Sequence, residues 1–259
     1  MSIFRPEWPL PRNVHSFISL RAGGYSEAPF TSLNLASHVG DLPEAVVKNR
    51  AKLGVLCKRT FGHTPHFHWL NQVHGCQIAD ISCKTELTDI SDADAAYTNA
   101  VGEACAVLTA DCLPLLVSNS AGTEVAAIHA GWRGLAAGVI SNTVEKFRAN
   151  PEELIVFLGP AISQSAFQVG AEVRQCFLDA SRFGLEPMIE QAFLKDGESH
   201  DKYFADLYAL ARLELQALGV RRTFGGSRCT YSENHSFFSY RKEGATGRFA
   251  SAIWIAPEN

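Results

Sequence analysis

Three short segments carry side chains with metal-binding or nucleophilic chemistry: Asn71-Gln-Val-His-Gly75, Thr109-Ala-Asp-Cys-Leu-Pro114 and His129-Ala-Gly-Trp-Arg-Gly134. Each puts a His or Cys at the end of a segment with strand character. Zinc favours nitrogen and sulfur donors, and a catalytic zinc takes three protein ligands and leaves a position for water or substrate. His74, Cys112 and His129 make such a set. Two histidines and a cysteine also resemble a blue-copper set, which usually adds a weak axial methionine. The chain has only Met1 and Met188, neither in these segments. A third chemistry uses Cys112 as a nucleophile with a histidine as base; a zinc-bound thiolate is blunted, so the two roles compete. Each residue also has an ordinary reading. A cysteine in an apolar strand is commonly core, a lone histidine is commonly surface or satisfied core, and the spacing matches no short metal pattern.

The elements that must position these residues can be read from periodicity. Val14 to Leu20 has strand character, and a glycine turn follows at Ala22-Gly23-Gly24-Tyr25. Asp41 is placed to cap a helix from about Leu42 to Leu56, with Pro43 and Glu44 in its first turn. The segment from Phe67 to His74 is rich in aromatic and β-branched residues, and Gln77 to Ile81 resumes the strand pattern. His63, His66 and His68 fall in the loop and strand start before Trp69. Ala104–Ala110 reads as a buried strand, extended through Leu115–Val117, and Val125–His129 as another; both are apolar on both faces, so the sheet should be covered on each side. On one continuous strand Ala110 and Cys112 share a face and Asp111 points the other way, which makes Asp111 a supporting carboxylate rather than a ligand. A helix is expected from Leu135 to Arg148, ending before Pro151. Its start at the Gly-Trp-Arg-Gly turn would offer unpaired N–H groups to an anion; an ordinary strand–helix connection is the alternative. Leu154–Leu158 is a further strand. Helices are expected over Glu172–Leu178 and Phe204–Leu218, with Gly219 capping the second. Ser236–Tyr240 and Ala250–Ile255 complete the strand pattern. Arg21, Arg241 and Arg248 stand near glycines and could line a pocket or simply be solvated.

Composition bounds the partners. The chain has 259 residues, 46% hydrophobic and 19% charged, with a formal charge of −4. That is a compact globular composition, without the basic surface that nucleic acid requires. No linker or repeat divides it, so one domain spanning 1–259 is expected. The N-terminus has no apolar core of a signal peptide, and no stretch is long enough to span a bilayer; a cytoplasmic protein is the expectation. Seven cysteines, an odd number, with no CxxC pair argue against a disulfide framework.

At these motifs the chain resembles the YfiH family, also called the laccase-domain or multicopper-polyphenol-oxidoreductase family. The resemblance runs through Arg21-Ala-Gly-Gly-Tyr-Ser26, Ser32-Leu-Asn-Leu35, His38-Val-Gly-Asp41, the three segments above, Phe238-Ser-Tyr-Arg241 and Thr246-Gly-Arg248. Tyr25 departs from the valine the family often has. The resemblance implies a mixed α/β (α+β) fold, a single domain of four layers, α/β/β/α, with mixed sheets. It implies zinc, with copper possible, held by His74, Cys112 and His129. It implies a purine nucleoside enzyme that phosphorolyses adenosine, inosine, guanosine and methylthioadenosine and deaminates adenosine. Purine nucleosides and phosphate are then the small-molecule partners, with no nucleic acid and no membrane. Cys112 and His129 are the candidate catalytic residues, and Arg21, Arg133, Arg241 and Arg248 the candidate substrate-binding residues. The alternatives are a copper-dependent polyphenol oxidase and a Cys–His amide hydrolase that edits peptidoglycan precursors. The chain lacks the H-x-E and P-C-x-x-C pattern of cytidine-deaminase zinc sites, so deamination would use a different arrangement.

Overall fold

The computed structural model describes residues 3–82, 92–181 and 184–257. In chain order the elements are β1 (Ile3–Phe4), β2 (Val14–Ser19), α1 (Pro43–Phe61), β3 (His66–Trp69), β4 (Ile78–Asp80), β5 (Ala95–Thr98), β6 (Glu103–Thr109), β7 (Leu113–Asn119) and β8 (Val125–Ala130). Then follow α2 (Trp132–Ala136), α3 (Val139–Val144), β9 (Leu154–Leu158), β10 (Gln168–Gly170), α4 (Ala171–Asp179), α5 (Glu186–Gln191), β11 (Phe193–Lys195) and β12 (Lys202–Ala205). The last four are α6 (Leu207–Ala217), β13 (Arg222–Gly225), α7 (Tyr240–Glu243) and β14 (Phe249–Ile255).

Two mixed sheets form the centre. One runs β1-β2-β14-β6-β3 and the other β13-β9-β7-β8-β5-β4; a small third sheet runs β10-β12-β11. Alternation along the strands explains the layering. On β6, Cys105 and Val107 enter a core with Leu116 of β7 and Ala127 of β8, so the two large sheets pack face to face. Ala104, Ala106 and Leu108 of β6 point the other way, with Ala252 and Trp254 of β14, onto Leu53 and Cys57 of α1. On the far side, Leu113, Leu115 and Val117 of β7 pack with Val139 and Ile140 of α3 and Leu210 and Leu215 of α6. The result is the expected mixed α/β architecture in four layers. Strands buried on both faces read as unbroken apolar runs because each face meets a different layer.

Several expected boundaries shift. The extended run through Ala104–Val117 is two strands in different sheets, because the backbone turns at Asp111, where φ is 93°. The expected helix from Leu135 to Arg148 is interrupted: α2 ends and α3 begins around Gly138, which adopts φ 87°. Phe204 and Ala205 belong to β12, and Asp206 starts the following helix by accepting a hydrogen bond from the Ala209 N–H. Asp41 does not cap α1; Leu42 holds that position, and the Asp41 carboxylate accepts instead from Ser26, Asn34 and the Leu42 N–H. Ser236–Tyr240 is no strand but a turn leading into α7. β3 ends at Trp69, so His74 lies in a turn beyond it. Among the described residues, six cysteines are free; Cys83 lies outside them. No helix there is long and apolar enough to cross a membrane.

Candidate metal centre

Three separate stretches of chain bring the His–Cys–His set together. His74 sits in the turn after β3 with φ 59°. Cys112 follows Asp111 at the crossing from one large sheet to the other, and His129 lies on β8. Their donor atoms fall within 4.8 Å of one another, with Cys112 Sγ 3.9 Å from His74 Nε2. The imidazole rings stand edge-on, with centroids 4.8 Å apart and planes at 79°. Zinc–nitrogen bonds of about 2.0–2.1 Å and zinc–sulfur bonds of about 2.3 Å put tetrahedral donors roughly 3.3–3.6 Å apart. A small inward movement of the donors would suffice, so the set fits such an ion in both donor type and spacing. His129 is buried, Cys112 half-buried and His74 exposed. The cluster therefore opens to solvent on the His74 side.

Asp94, fully buried at the start of β5, holds this arrangement. Its Oδ1 accepts from His129 Nδ1 at 2.7 Å and from the His74 N–H at 2.9 Å. Its Oδ2 accepts from the N–H groups of Val73 at 3.2 Å and Gly75 at 2.6 Å. One carboxylate thus fixes a ligand ring and the turn carrying a second ligand. With Nδ1–H committed to Asp94, His129 presents Nε2 as its donor, the usual orienting role of a carboxylate behind a metal-binding histidine. Burial works against the charged form of Asp94, but the bonds from His129, Gly75 and His74 outweigh it and lower its pKa. Burial likewise opposes the Cys112 thiolate; His129 and His74 overcome this and pull the thiol down to about 6. The His129 imidazole is held up to about 9, because Cys112 and Asp94 outweigh its desolvation.

Gly131 forms the floor of the cluster. A Cβ there would lie 2.9 Å from His74 Cδ2, 3.2 Å from Cys112 Sγ and 3.6 Å from His129 Cε1. Glycine is required by this close approach. A Cβ at Gly134 would come within 2.6 Å of the Gly75 carbonyl oxygen, so the second glycine of the turn lets α2 pack against the His74 turn. The helix beginning there has only five residues, which leaves little of the dipole expected from a long helix.

The candidate arginines take up different positions. Arg248 is half-buried and feels the charges of Cys112 and Asp111, with burial lowering its pKa. Its Nη1 donates to the Thr246 and Gly247 carbonyls. Arg21 pairs with Glu243 at 2.9 Å and donates to the Asn234 and Thr31 carbonyls. Arg241 donates through Nη1 to the Ala166 and Gln168 carbonyls. Arg133 is exposed and stacks over Trp132, 4.3 Å from the ring centroid. Asp111 is not among the clustered donors. Its carboxylate accepts from the Thr230 hydroxyl and the Arg241 N–H, each at 2.6 Å, which ties Thr230 and the start of α7 to the Cys112 turn.

Two residues near the centre are not among the candidate site residues of the sequence, although His38 stands in the His38-Val-Gly-Asp41 motif. Asp94 lies in Asp92-Ala-Asp94, directly before the apolar Ala95-Ala-Tyr97; an acid at the mouth of a buried strand was the available clue. His38 lies close enough to His74, His129 and Arg248 to feel their charges, and burial, the largest cause, lowers its pKa.

A layered α/β sandwich carrying a His–Cys–His cluster where its sheets meet defines the class. The chain belongs to the family described as multi-copper polyphenol oxidoreductase laccase, which matches residues 15–256. Its relatives include the Escherichia coli protein named purine nucleoside phosphorylase YfiH, 48% identical over 96% of this chain and 97% of that one. A Pseudomonas aeruginosa protein also named purine nucleoside phosphorylase is 42% identical over 96% and 97%. Among solved structures, a Neisseria meningitidis protein matches with a TM-score of 0.88 at 44% identity, covering 99% of this chain and 100% of that one. YlmD from Geobacillus stearothermophilus matches with a TM-score of 0.87 at 28% identity, covering 99% and 97%.

Proposed function

We propose that this chain is a zinc-dependent purine nucleoside phosphorylase that accepts adenosine, inosine, guanosine and methylthioadenosine and also deaminates adenosine. The observation that carries the metal part is the convergence of His74, Cys112 and His129 around Gly131 with Asp94 behind His129. The purine part rests on relatives named as purine nucleoside phosphorylases. His74, Cys112 and His129 would hold the ion, which as a Lewis acid would polarise a bound oxygen or lower the pKa of a water. Asp94 keeps His129 in one tautomer and fixes the His74 turn. Arg248 is the first choice for phosphate. Among the described residues only its Nη1 is engaged by protein carbonyls, and it stands near Cys112. Arg21 has both Nε and Nη1 committed to protein acceptors.

A second reading has its own support. Cys112, His129 and Asp94 also form a thiol–imidazole–carboxylate series, with the thiol already drawn down to about 6. Such a series suits nucleophilic attack on an amide, as an amide hydrolase acting on peptidoglycan precursors would require. Copper-dependent phenol oxidation has less support, since Met188, the one methionine among the described residues, is exposed on α5.

The deciding experiment assays zinc-quantified protein on inosine with and without phosphate and reads products by mass. Phosphorolysis predicts hypoxanthine and ribose 1-phosphate only when phosphate is present. The Arg248→Ala variant should lose about tenfold to a hundredfold in rate and raise the apparent phosphate KM, as loss of a charge-assisted contact of roughly 1.5–3 kcal/mol implies. Base release without phosphate would indicate hydrolysis. Amide cleavage by metal-free protein, with no nucleoside turnover in either form, would replace the first reading by the second.

A further inference from the structure

A second set of metal-binding side chains lies at the opposite end of β6 from Cys112. His66 and His68 alternate on β3, the edge strand of the five-stranded sheet, and Glu103 begins the neighbouring β6, in parallel register with His66. A strand repeats its faces every second residue, so both imidazoles leave β3 on one side, while Phe67 and Trp69 stack on the other with centroids 5.5 Å apart. His66 Nδ1 lies 3.0 Å and His68 Nε2 2.6 Å from the same Glu103 oxygen, Oε2. The two rings stand edge-on with centroids 4.5 Å apart. All three donors fall within 4.8 Å of one another.

The environment makes this more than a surface ion pair. Glu103 is 8% exposed and heads the row of β6 side chains, Cys105 and Val107, that enters the core between the two sheets. A carboxylate in such a place needs compensation, and among the described residues its hydrogen-bond partners are only these two imidazoles. The His66 side chain, by contrast, is 72% exposed, so the cluster has a buried base and an open face. Six residue steps separate Glu103 from Thr109 on β6, about 20 Å of strand at about 3.3 Å per residue. The cluster is therefore remote from Cys112.

We propose that His66, His68 and Glu103 form a second metal site for a divalent first-row transition ion of the zinc type. Two imidazole nitrogens and a carboxylate oxygen are a zinc donor set with room for exogenous ligands, and imidazole excludes magnesium or calcium as the preferred occupant. The ion replaces the protons that the imidazoles now donate to Glu103, and it clamps the edge strand β3 to β6. The inference is independent of the function proposed for the Cys112 centre.

The test is a zinc titration of the full chain by competition with a chromogenic chelator, with stoichiometry checked by elemental analysis. Wild type should bind two zinc ions per chain. Cys112→Ala should keep the second site, whereas His66→Ala, His68→Ala and Glu103→Gln should each keep only the Cys112 site. Loss of even an outer-sphere partner weakens metal sites by roughly 10–100-fold, so each of these three replacements should weaken the second site by at least about a hundredfold. His66→Ala guards against misfolding, because that side chain is largely in solvent. Cobalt provides an independent readout. The Cys112 site should show thiolate-to-metal charge transfer, and the second site should show ligand-field bands without it. In the Cys112→Ala background, zinc should also raise the thermal midpoint, an effect that adding His66→Ala abolishes. One zinc per chain in wild type that Cys112→Ala abolishes, or a second zinc retained in both His66→Ala and Glu103→Gln, would overturn the assignment.

Discussion

Replacing Asp94 by Asn is the sharpest probe of how the centre is built. The two side chains have nearly the same shape, but an amide has one acceptor oxygen and one donor nitrogen. Asp94 uses both oxygens as acceptors: Oδ1 serves His129 Nδ1 and the His74 N–H, and Oδ2 serves the Val73 and Gly75 N–H groups. Whichever way the amide rotates, one pair of donors faces an NH2 group. Either His129 loses its orienting partner or the turn carrying His74 loses its anchor. Each bond to a charged acceptor contributes roughly 1.5–3 kcal/mol, without strict additivity, so two lost bonds at a fully buried position should cost about 3–5 kcal/mol of stability. Metal affinity should fall roughly 10–100-fold, the range for losing the carboxylate behind a ligating histidine, or about 1.4–2.7 kcal/mol. Urea unfolding and chelator competition on the same preparation measure the two quantities. The pH dependence carries a further signature. The folded pKa of Asp94 lies below its ordinary value, so its stabilisation is complete above the unfolded carboxylate pKa of about 3.9 and is lost as pH falls through the folded value. Wild type should therefore lose stability more steeply than Asp94→Asn on the acid side of that range. An Asp94→Asn protein with wild-type stability, metal affinity and acid response would refute the reasoning.

Gly131→Ala should cut metal affinity by more than about tenfold while leaving the far-ultraviolet circular dichroism intact, because the new methyl meets all three donor residues and overpacking costs about 1–3 kcal/mol; an unchanged chelator-competition curve would contradict the close approach. Gly134→Ala should instead lower the thermal midpoint, since its Cβ would press on the Gly75 carbonyl. Metal-stripped protein should alkylate at Cys112 with a rate half-maximal near pH 6, and zinc should suppress that labelling; peptide mass mapping across pH checks both. Burial raises the thiol of Cys57 to about 12 and pushes that of Cys105 upward too, so neither should label until the protein is denatured, whereas exposed Cys176 labels in the folded state.

What the sequence disclosed follows from which signals are local. β8, β9 and β14 are readable because buried strands are short unbroken apolar runs, and the three donor residues stand at the ends of segments with strand character. The turn at Asp111 was not readable, since a left-handed aspartate between Ala110 and Cys112 leaves the apolar pattern uninterrupted while sending the chain into another sheet. The helix after His129 kept its period across Gly138, and only the backbone reveals that it breaks there. The aromatic run Ser236-Phe-Phe-Ser-Tyr240 resembles a strand because Phe237 and Phe238 are fully buried, yet they reach the core from a turn. Asp94 gives no local signal because its partners lie 19 to 35 positions away in sequence. Sequence spacing does not encode a carboxylate that serves two distant segments at once.

The crossing at Asp111 has a consequence for how the protein would come apart. One donor follows a strand of the five-stranded sheet, another lies on a strand of the six-stranded sheet, and Cys112 occupies the passage between them. A bound ion would act as a rivet through both halves of the sandwich. Slippage of either sheet would separate the donors, so the slowest metal loss should keep time with opening of the whole sandwich rather than with fluctuation of a surface loop. A centre built this way also reports on its own scaffold: retention of the ion would certify that the two sheets are in register.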